Sequence, residues 1–297
     1  MTTGIYRDQT TAPAPDVLIV SGLDPSGGAG FLADARVVHM LGGRPVGAIS
    51  TMTVQNTKGL RSAHEIDLDV LGAQLDAVLT DIEVKAVKIG MLVERDVLRV
   101  LDEAFALTNA PIVWDPIGAP TRGQVSYGRE LLEQGLRVLG PHLTLITPNA
   151  RELAILAGAE VNTLVEAVDA GKVLARASKV AVLVKGGHVE TLAGARRAEA
   201  DGVKYETPGV AGDGSSAEKA HESVDVLCTV DGGVEYFRGP RVATDDVHGT
   251  GCALSSAIAT YLALGQPLGA ACRSAKEFVA KRIASAVRPG QGAPAVL

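Results

Sequence analysis

The chain has 297 residues, 46% of them hydrophobic and only 3% aromatic, with a formal net charge of −6. With 28 Lys and Arg against 34 Asp and Glu and no basic run, the balance argues against nucleic acid or an anionic membrane surface as partner. Cys228, Cys252 and Cys272 lack CxxC spacing, which argues against a disulfide framework or a zinc site and points to a reducing, cytoplasmic setting.

In chain order, residues 1–15 are polar and proline-containing, without the apolar core of a signal peptide, and are expected to be a flexible N-terminus. No apolar run approaches the roughly 20 residues of a membrane span. Asp16 to Gly22 (DVLIVSG) reads as a strand covered on both faces. Ala29 to Leu41 reads as helix, Pro45 to Val54 as strand and Asp67 to Leu79 as helix. Ala86 to Met91 is strand-like, Glu94 to Phe105 helical, Pro111 to Trp114 strand and Arg129 to Leu139 helix. Leu143 to Thr147 follows as strand, then helices over Ala150 to Leu156 and Leu164 to Ala177, then the strand Val180 to Lys185. This alternation predicts a single α/β domain, a doubly wound, mostly parallel sheet with helices on both faces.

From Glu190 to Ser223 the composition turns to Gly, Ala, Glu, Asp and Ser, which predicts a long loop or flap. Val224 to Val230 and Val234 to Phe237 flank Gly232-Gly233, a hairpin signal. Two helices, Thr250 to Leu264 and Pro267 to Val287, close the fold with Gly265 as a C-cap between them. The segment 288–297 (RPGQGAPAVL) is expected to be a flexible tail.

Polar residues gather at the strand C-termini: Asp24, Gln55-Asn56, Asp115, Thr147-Pro148-Asn149 and Lys185-Gly186-Gly187, with Met91 at the third. In an open parallel sheet this edge lines the ligand crevice. Gly28, Gly30 and Ala33 satisfy a G-x-G-x-x-A spacing, but the second strand ends in Gln55 instead of the acidic residue a dinucleotide ribose needs. No P-loop motif is present.

His248 to Cys252 (HGTGC) precedes the apolar stretch ALSSAIATYLALG. Small residues at a helix start leave backbone N–H groups facing outward at the positive end of the helix, an anion hole. Phosphoryl transfer needs such charge stabilisation and alignment more than covalent help. Cys252 at that helix N-terminus is expected to have its thiolate favoured and to act as a base or orient a hydroxyl; the alternative is a small core residue. Asp115 and Glu152 are candidates for holding Mg²⁺ beside phosphate oxygens, or else helix-cap residues. His188 and Glu190 are too isolated for a metal site, and His39 and His64 read as ordinary histidines.

SGLDPSGGAGFLAD, TVQNTKGL, VKIGML, WDP, TPNARELAILAG, VLVKGGH and HGTGCALSSAIATYLALG, in collinear order from Asp16 to Ala286, resemble the hydroxymethylpyrimidine/phosphomethylpyrimidine kinases, thiamine-pathway members of the ribokinase superfamily. The resemblance implies a ribokinase-like fold, a homodimer and two successive ATP- and Mg²⁺-dependent phosphorylations. These act on the hydroxymethyl group of 4-amino-5-hydroxymethyl-2-methylpyrimidine and then on its monophosphate. Carried over by position, Gln55 reads the pyrimidine, with Gly22, Asp24, Met91 and Gly118 around it. Gly249, Thr250 and Gly251 form the anion hole, and Cys252 stands where most ribokinase relatives have Asp. Asn149, Lys185, Gly187 and His248 fall on the ATP and phosphate side, and Asp115 and Glu152 on the metal side.

The chain departs from the pattern at Leu23, where Ser is usual, and at Ile117-Gly118, where Val-Met is usual. It also departs in a longer stretch from His188 to Val224. Two rival readings follow: a pyridoxal or pyridoxine kinase of the same superfamily, and a non-catalytic ligand-binding relative. An intact His248 to Cys252 segment weighs against the latter.

Overall fold

The computed structural model describes residues 13–118, 128–186, 222–241 and 247–296. Within them nine strands form one sheet: β1 (Asp16–Leu23), β2 (Arg44–Asn56), β3 (Gly59–His64), β4 (Ala86–Ile89), β5 (Ile112–Trp114), β6 (Leu145–Ile146), β7 (Ala181–Val184), β8 (Glu222–Cys228) and β9 (Val234–Pro240). The strand order is β3-β2-β1-β4-β5-β6-β7-β8-β9. β2, β1, β4, β5, β6 and β7 run parallel, and antiparallel pairing of β3 with β2 and of β8 with β7 and β9 finishes the two edges.

The helices are α1 (Gly30–Met40), α2 (Leu68–Asp81), α3 (Asp96–Phe105), α4 (Arg129–Leu139), α5 (Ala150–Ala157), α6 (Leu164–Ser178), α7 (Thr250–Ala263) and α8 (Leu268–Ala284). Side-chain alternation splits β1 between two cores. Leu18 and Val20 join the core under α2 to α6, while Val17 and Ile19 join the core under α1, α7 and α8. That double covering is why β1 is apolar on both faces. α7 is buried from Cys252 to Thr260 without interruption, so its sequence carries Ala and Ser instead of a polar stripe.

Two features differ from the sequence expectation. β3 has no counterpart in it: GLRSAH lacks an apolar alternation, yet β2 runs past the end of β1 and folds back at Thr57-Lys58 to pair Gln55 with Leu60. The tail is packed, with Ala293, Ala295 and Val296 buried, although its composition reads as frayed. Its backbone binds two other segments: Ala293 N–H donates to Thr57 O at 2.9 Å and His248 N–H to Pro294 O at 2.8 Å. These bonds, invisible to local sequence, hold it down. The expected flap at 190–223 lies outside the described residues except for Glu222 and Ser223, which open β8.

The chain steps from β1 to β2 on one side and returns to β4 on the other. The sheet therefore reverses direction between β1 and β4, and ligand crevices open at such a point. Asp24 and Met91 leave the strands there.

Candidate active site

Two glycine turns meet above this crevice. Gly249, the N-cap of α7, has φ +84°, and a Cβ built on it would lie 2.0 Å from Gly28 O. Gly30 has φ +60°, and its Cβ would lie 2.2 Å from Gly22 O. Only glycine permits both the left-handed backbone and the close approach. The tight-turn reading of GLDPSGGAG is therefore realised, but the contact is with the start of α7. The first intrahelical bond of α7 runs from Ala253 N–H to Gly249 O at 2.9 Å. The N–H groups of Thr250, Gly251 and Cys252 thus lie in the turn that has no partner within the helix.

On one side of this turn a polar cluster forms around Asp24. Its carboxylate accepts from Ser26 N–H (2.8 Å), Ser26 Oγ (2.7 Å) and Ala29 N–H (3.0 Å). His248 Nε2 sits 3.0 Å from Asp24 Oδ2 and 3.0 Å from Gln55 Nε2. Burial raises the Asp24 carboxyl, but hydrogen bonds from His248 and Ser26 outweigh it and leave the group below the usual carboxylate range. The structure places His248, expected on the phosphate side, in contact with Asp24 and Gln55. The tail fixes its backbone, and the Gly28 turn packs its ring: a Cβ on Gly28 would meet His248 Cδ2 at 2.7 Å. Gly22 has room only for hydrogen, since its Cβ would lie 2.9 Å from Met91 Cε. Ser50 Oγ donates to Met91 O at 2.8 Å and Thr53 Oγ1 to Leu23 O at 2.6 Å, tying both residues to β2.

On the other side, three charges share a buried space. Lys185 Nζ donates to Asp115 Oδ1 at 2.6 Å and lies 3.7 Å from Glu152 Oε2. Thr147 Oγ1 donates to Asp115 Oδ1 at 3.2 Å. Burial disfavours the Lys185 charge, but Asp115 and Glu152 more than offset this and hold the ammonium above its usual range. Glu152 is raised: burial and Asp115 act against its charge, and Lys185 only partly relieves it. Gly251 faces the group, its Cβ position 3.4 Å from Lys185 Nζ and 3.5 Å from Asp115 Oδ2.

Glu152 and Asn149 also form the capping box of α5. Asn149 Oδ1 accepts from Arg151 and Glu152 N–H, and Glu152 Oε2 accepts from Asn149 N–H at 2.7 Å. The helix-cap reading of Glu152 is realised, and the same side chain also belongs to the charge cluster. Gly118, expected around the pyrimidine, lies against this cluster: its N–H donates to Glu152 Oε1 at 3.4 Å, and its Cβ would meet Leu132 and Glu152. Gly187 lies outside the described residues.

Cys252 is buried in the first turn of α7. The thiolate expected from a helix N-terminus is not what the surroundings favour. Burial pushes the thiol up to about 11, against the partial relief of Lys88 and of the Gly30 N–H. Exclusion from water outweighs the helix dipole here.

Lys88 and Asp34 are charged residues that the sequence reading did not single out. Both are fully buried, with Nζ 2.5 Å from Asp34 Oδ2, and Ser256 Oγ donates to Asp34 Oδ1 at 2.7 Å. The available signal was a lysine within an apolar strand (AVKI), since such a charge survives burial only when paired.

The fold recurs in a Staphylococcus aureus pyridoxal kinase bound to ADP, with a TM-score of 0.78 and 23% identity over 96% of this chain and 94% of that one. A phosphomethylpyrimidine kinase from Clostridium difficile aligns with a TM-score of 0.70 and 26% identity, covering 91% of this chain and 99% of that one. The architecture is that of a ribokinase-like small-molecule kinase. More narrowly, the chain belongs to the phosphomethylpyrimidine kinase family, whose model matches residues 24–296. The hydroxymethylpyrimidine/phosphomethylpyrimidine kinase of Streptomyces coelicolor is 34% identical over 288 residues, 95% of each chain.

Proposed function

We propose that the chain transfers the γ-phosphoryl group of ATP to the hydroxymethyl group of 4-amino-5-hydroxymethyl-2-methylpyrimidine, and then to the resulting monophosphate, in thiamine biosynthesis. Family membership supports the reaction. The observation that carries the site assignment is the meeting, at one helix N-terminus, of a hydrogen-bonding cluster of Asp24, His248 and Gln55 with a cluster of one lysine and two carboxylates.

In this reading Gln55 pairs its amide with the ring nitrogen and amino group of the pyrimidine, Met91 and Gly22 form a face of the ring pocket, and Asp24 holds His248 in register. The N–H groups of Thr250, Gly251 and Cys252, at the turn set by Gly249, receive the transferring phosphoryl group. Lys185 and Asn149 face the nucleotide. Asp115 and Glu152 fit a magnesium ion, which usually takes one or two carboxylates and completes its shell with phosphate oxygens and water. The fit rests on Glu152, a carboxylate that Lys185 alone leaves under-compensated and that a second cation would relieve. The ion would supply charge neutralisation to the phosphates. Cys252, neutral at pH 7, would orient the hydroxyl instead of serving as a standing thiolate base. A loose phosphoryl-transfer transition state asks little of a base.

Among the described residues no helix is long and apolar enough to cross a membrane. A cytoplasmic homodimer matches the reading, and sedimentation tests the dimer. The decisive assay offers the purified protein both pyrimidine substrates and pyridoxal with Mg-ATP. Turnover of both pyrimidines is expected, whereas preferential turnover of pyridoxal would overturn the substrate assignment.

A further inference from the structure

Successive residues of β4 face alternate cores. Val87 and Ile89 join the core under α2 to α6, while Ala86 joins the opposite one. Lys88 shares the Ala86 face, where its aliphatic neighbours along the sheet would lead one to expect Leu or Met. Its ammonium is instead fully buried and held by Asp34 of α1, whose second oxygen accepts from Ser256 of α7. Ser256 follows Cys252 by one helical turn, so both lie on one face of α7. The strand makes room for the lysine at its end: a Cβ on Gly90 would fall 2.8 Å from Lys88 Nζ.

Stability does not account for this arrangement. A buried ion pair is on average no better than apolar residues of equal volume. The ammonium is paired with Asp34 from α1, and Cys252 from α7 and Asp115 from the end of β5 also favour its charge. Two of these three belong to the candidate phosphoryl-transfer end, and the third ties the lysine to the helix that carries it.

We propose that Lys88 is a positioning residue for phosphoryl transfer. Through Asp34 and Ser256 it ties α7 to α1 one turn beyond Cys252, and it keeps a permanent positive charge near Cys252. The inference rests on the kinase reading above. A charge built into a dry interior needs no reorganisation when negative charge spreads over the transferring group, and low dielectric strengthens its effect.

The test is the charge-neutral double variant Asp34→Asn/Lys88→Met, which removes both ions while keeping the volume. It is compared with wild type on whichever substrate the wild-type protein turns over, so the result does not hang on the pyrimidine assignment. The expected result is a folded protein with unchanged ADP affinity by calorimetry and KM values within about threefold. Its kcat should fall by about 100-fold, the scale of losing one preorganised electrostatic group. Combined with Cys252→Ala, the two losses should fall short of multiplying, because both act on α7. A kcat within about threefold of wild type, or losses that multiply fully, would overturn the proposal. Should the double variant not fold, Ser256→Ala decides: it removes only the hydroxyl that links Asp34 to α7. A fall in kcat of about fivefold with KM unchanged is expected from a lost hydrogen bond of ordinary strength, and an unchanged kcat refutes the linkage.

Discussion

Gly249→Ala separates two costs that a glycine in a left-handed turn conceals. At φ +84° an alanine incurs a backbone penalty of about 1–2 kcal/mol. Its Cβ would also stand 2.0 Å from Gly28 O, a backbone atom that cannot swing aside. The His248–Gly249 turn must therefore part from the Gly28 turn, adding about 1–3 kcal/mol of overpacking. Gly42 provides the control: its φ is +87°, but nothing lies within 4 Å of its Cβ position. Gly42→Ala should show the backbone penalty alone, a drop in Tm of roughly 2–4 °C, and Gly249→Ala a drop about twice as large. The activities should diverge further. Opening the turns by roughly 1 Å moves the Thr250, Gly251 and Cys252 amides off the proposed phosphoryl position, and displacements of that size cost up to about 100-fold in rate. Thermal unfolding with kcat and KM for both variants makes the comparison. Equal Tm shifts, with kcat within twofold of wild type in Gly249→Ala, would refute the claim that contact with Gly28 sets the anion hole.

Lys185→Met should destabilise the protein by about 3 kcal/mol in urea titrations, because it strands Asp115 and Glu152 together without a cation; adding Asp115→Asn should recover much of that loss. The Cys252 thiol is pushed up to about 11 by burial, whereas an unfolded thiol ionises near 8.5. Its contribution is therefore complete below about pH 8.5 and is lost as pH rises toward the folded value, so the urea midpoint should decline across this window and decline less in Cys252→Ala. Deleting residues 292–297 removes the bonds from Ala293 N–H to Thr57 O and from His248 N–H to Pro294 O. With each worth about 1 kcal/mol, the KM for pyrimidine should rise by up to about thirtyfold while that for ATP holds.

Much of the architecture was legible because the central strands are covered on both faces and announce themselves as apolar runs. The helices between them keep a 3.6-residue period, and Asp67, Asn149 and Thr163 cap their starts through their side chains. β3 escaped notice because its pairing is set by the length of β2 and not by its own composition. The tail escaped for the opposite reason: RPGQGAPAVL looks unstructured, and its order comes from Thr57 and His248, far away in sequence. Within the site, positions at strand ends were readable one at a time, but their partners were not. The ring of His248 could be placed at HGTGC, yet its turn toward Asp24 depends on a tail contact. Gly118 could be seen as a missing side chain, but its neighbours, Leu132 and Glu152, come from two other helices.

The same distinction bears on the thiol. From sequence, a cysteine at a helix N-terminus suggests a thiolate, because the dipole is the only influence a local pattern reveals. The folded chain adds exclusion from water together with Asp34 and Asp115, and these prevail over Lys88 and the Gly30 N–H. A bound nucleotide would bring further negative charge and hold the proton on sulfur more firmly still. Stabilisation of the transferring group must then come from the fixed charges around Cys252. Lys185 stands in the carboxylate cluster and Lys88 near the thiol. Replacing the thiol should thus alter alignment, whereas replacing either lysine should alter charge. Cys252→Ser, which keeps a small hydrogen-bonding group in place, is accordingly expected to retain far more activity than Cys252→Ala, as measured by kcat at saturating substrates. Equal loss in the two variants would show that sulfur itself takes the proton.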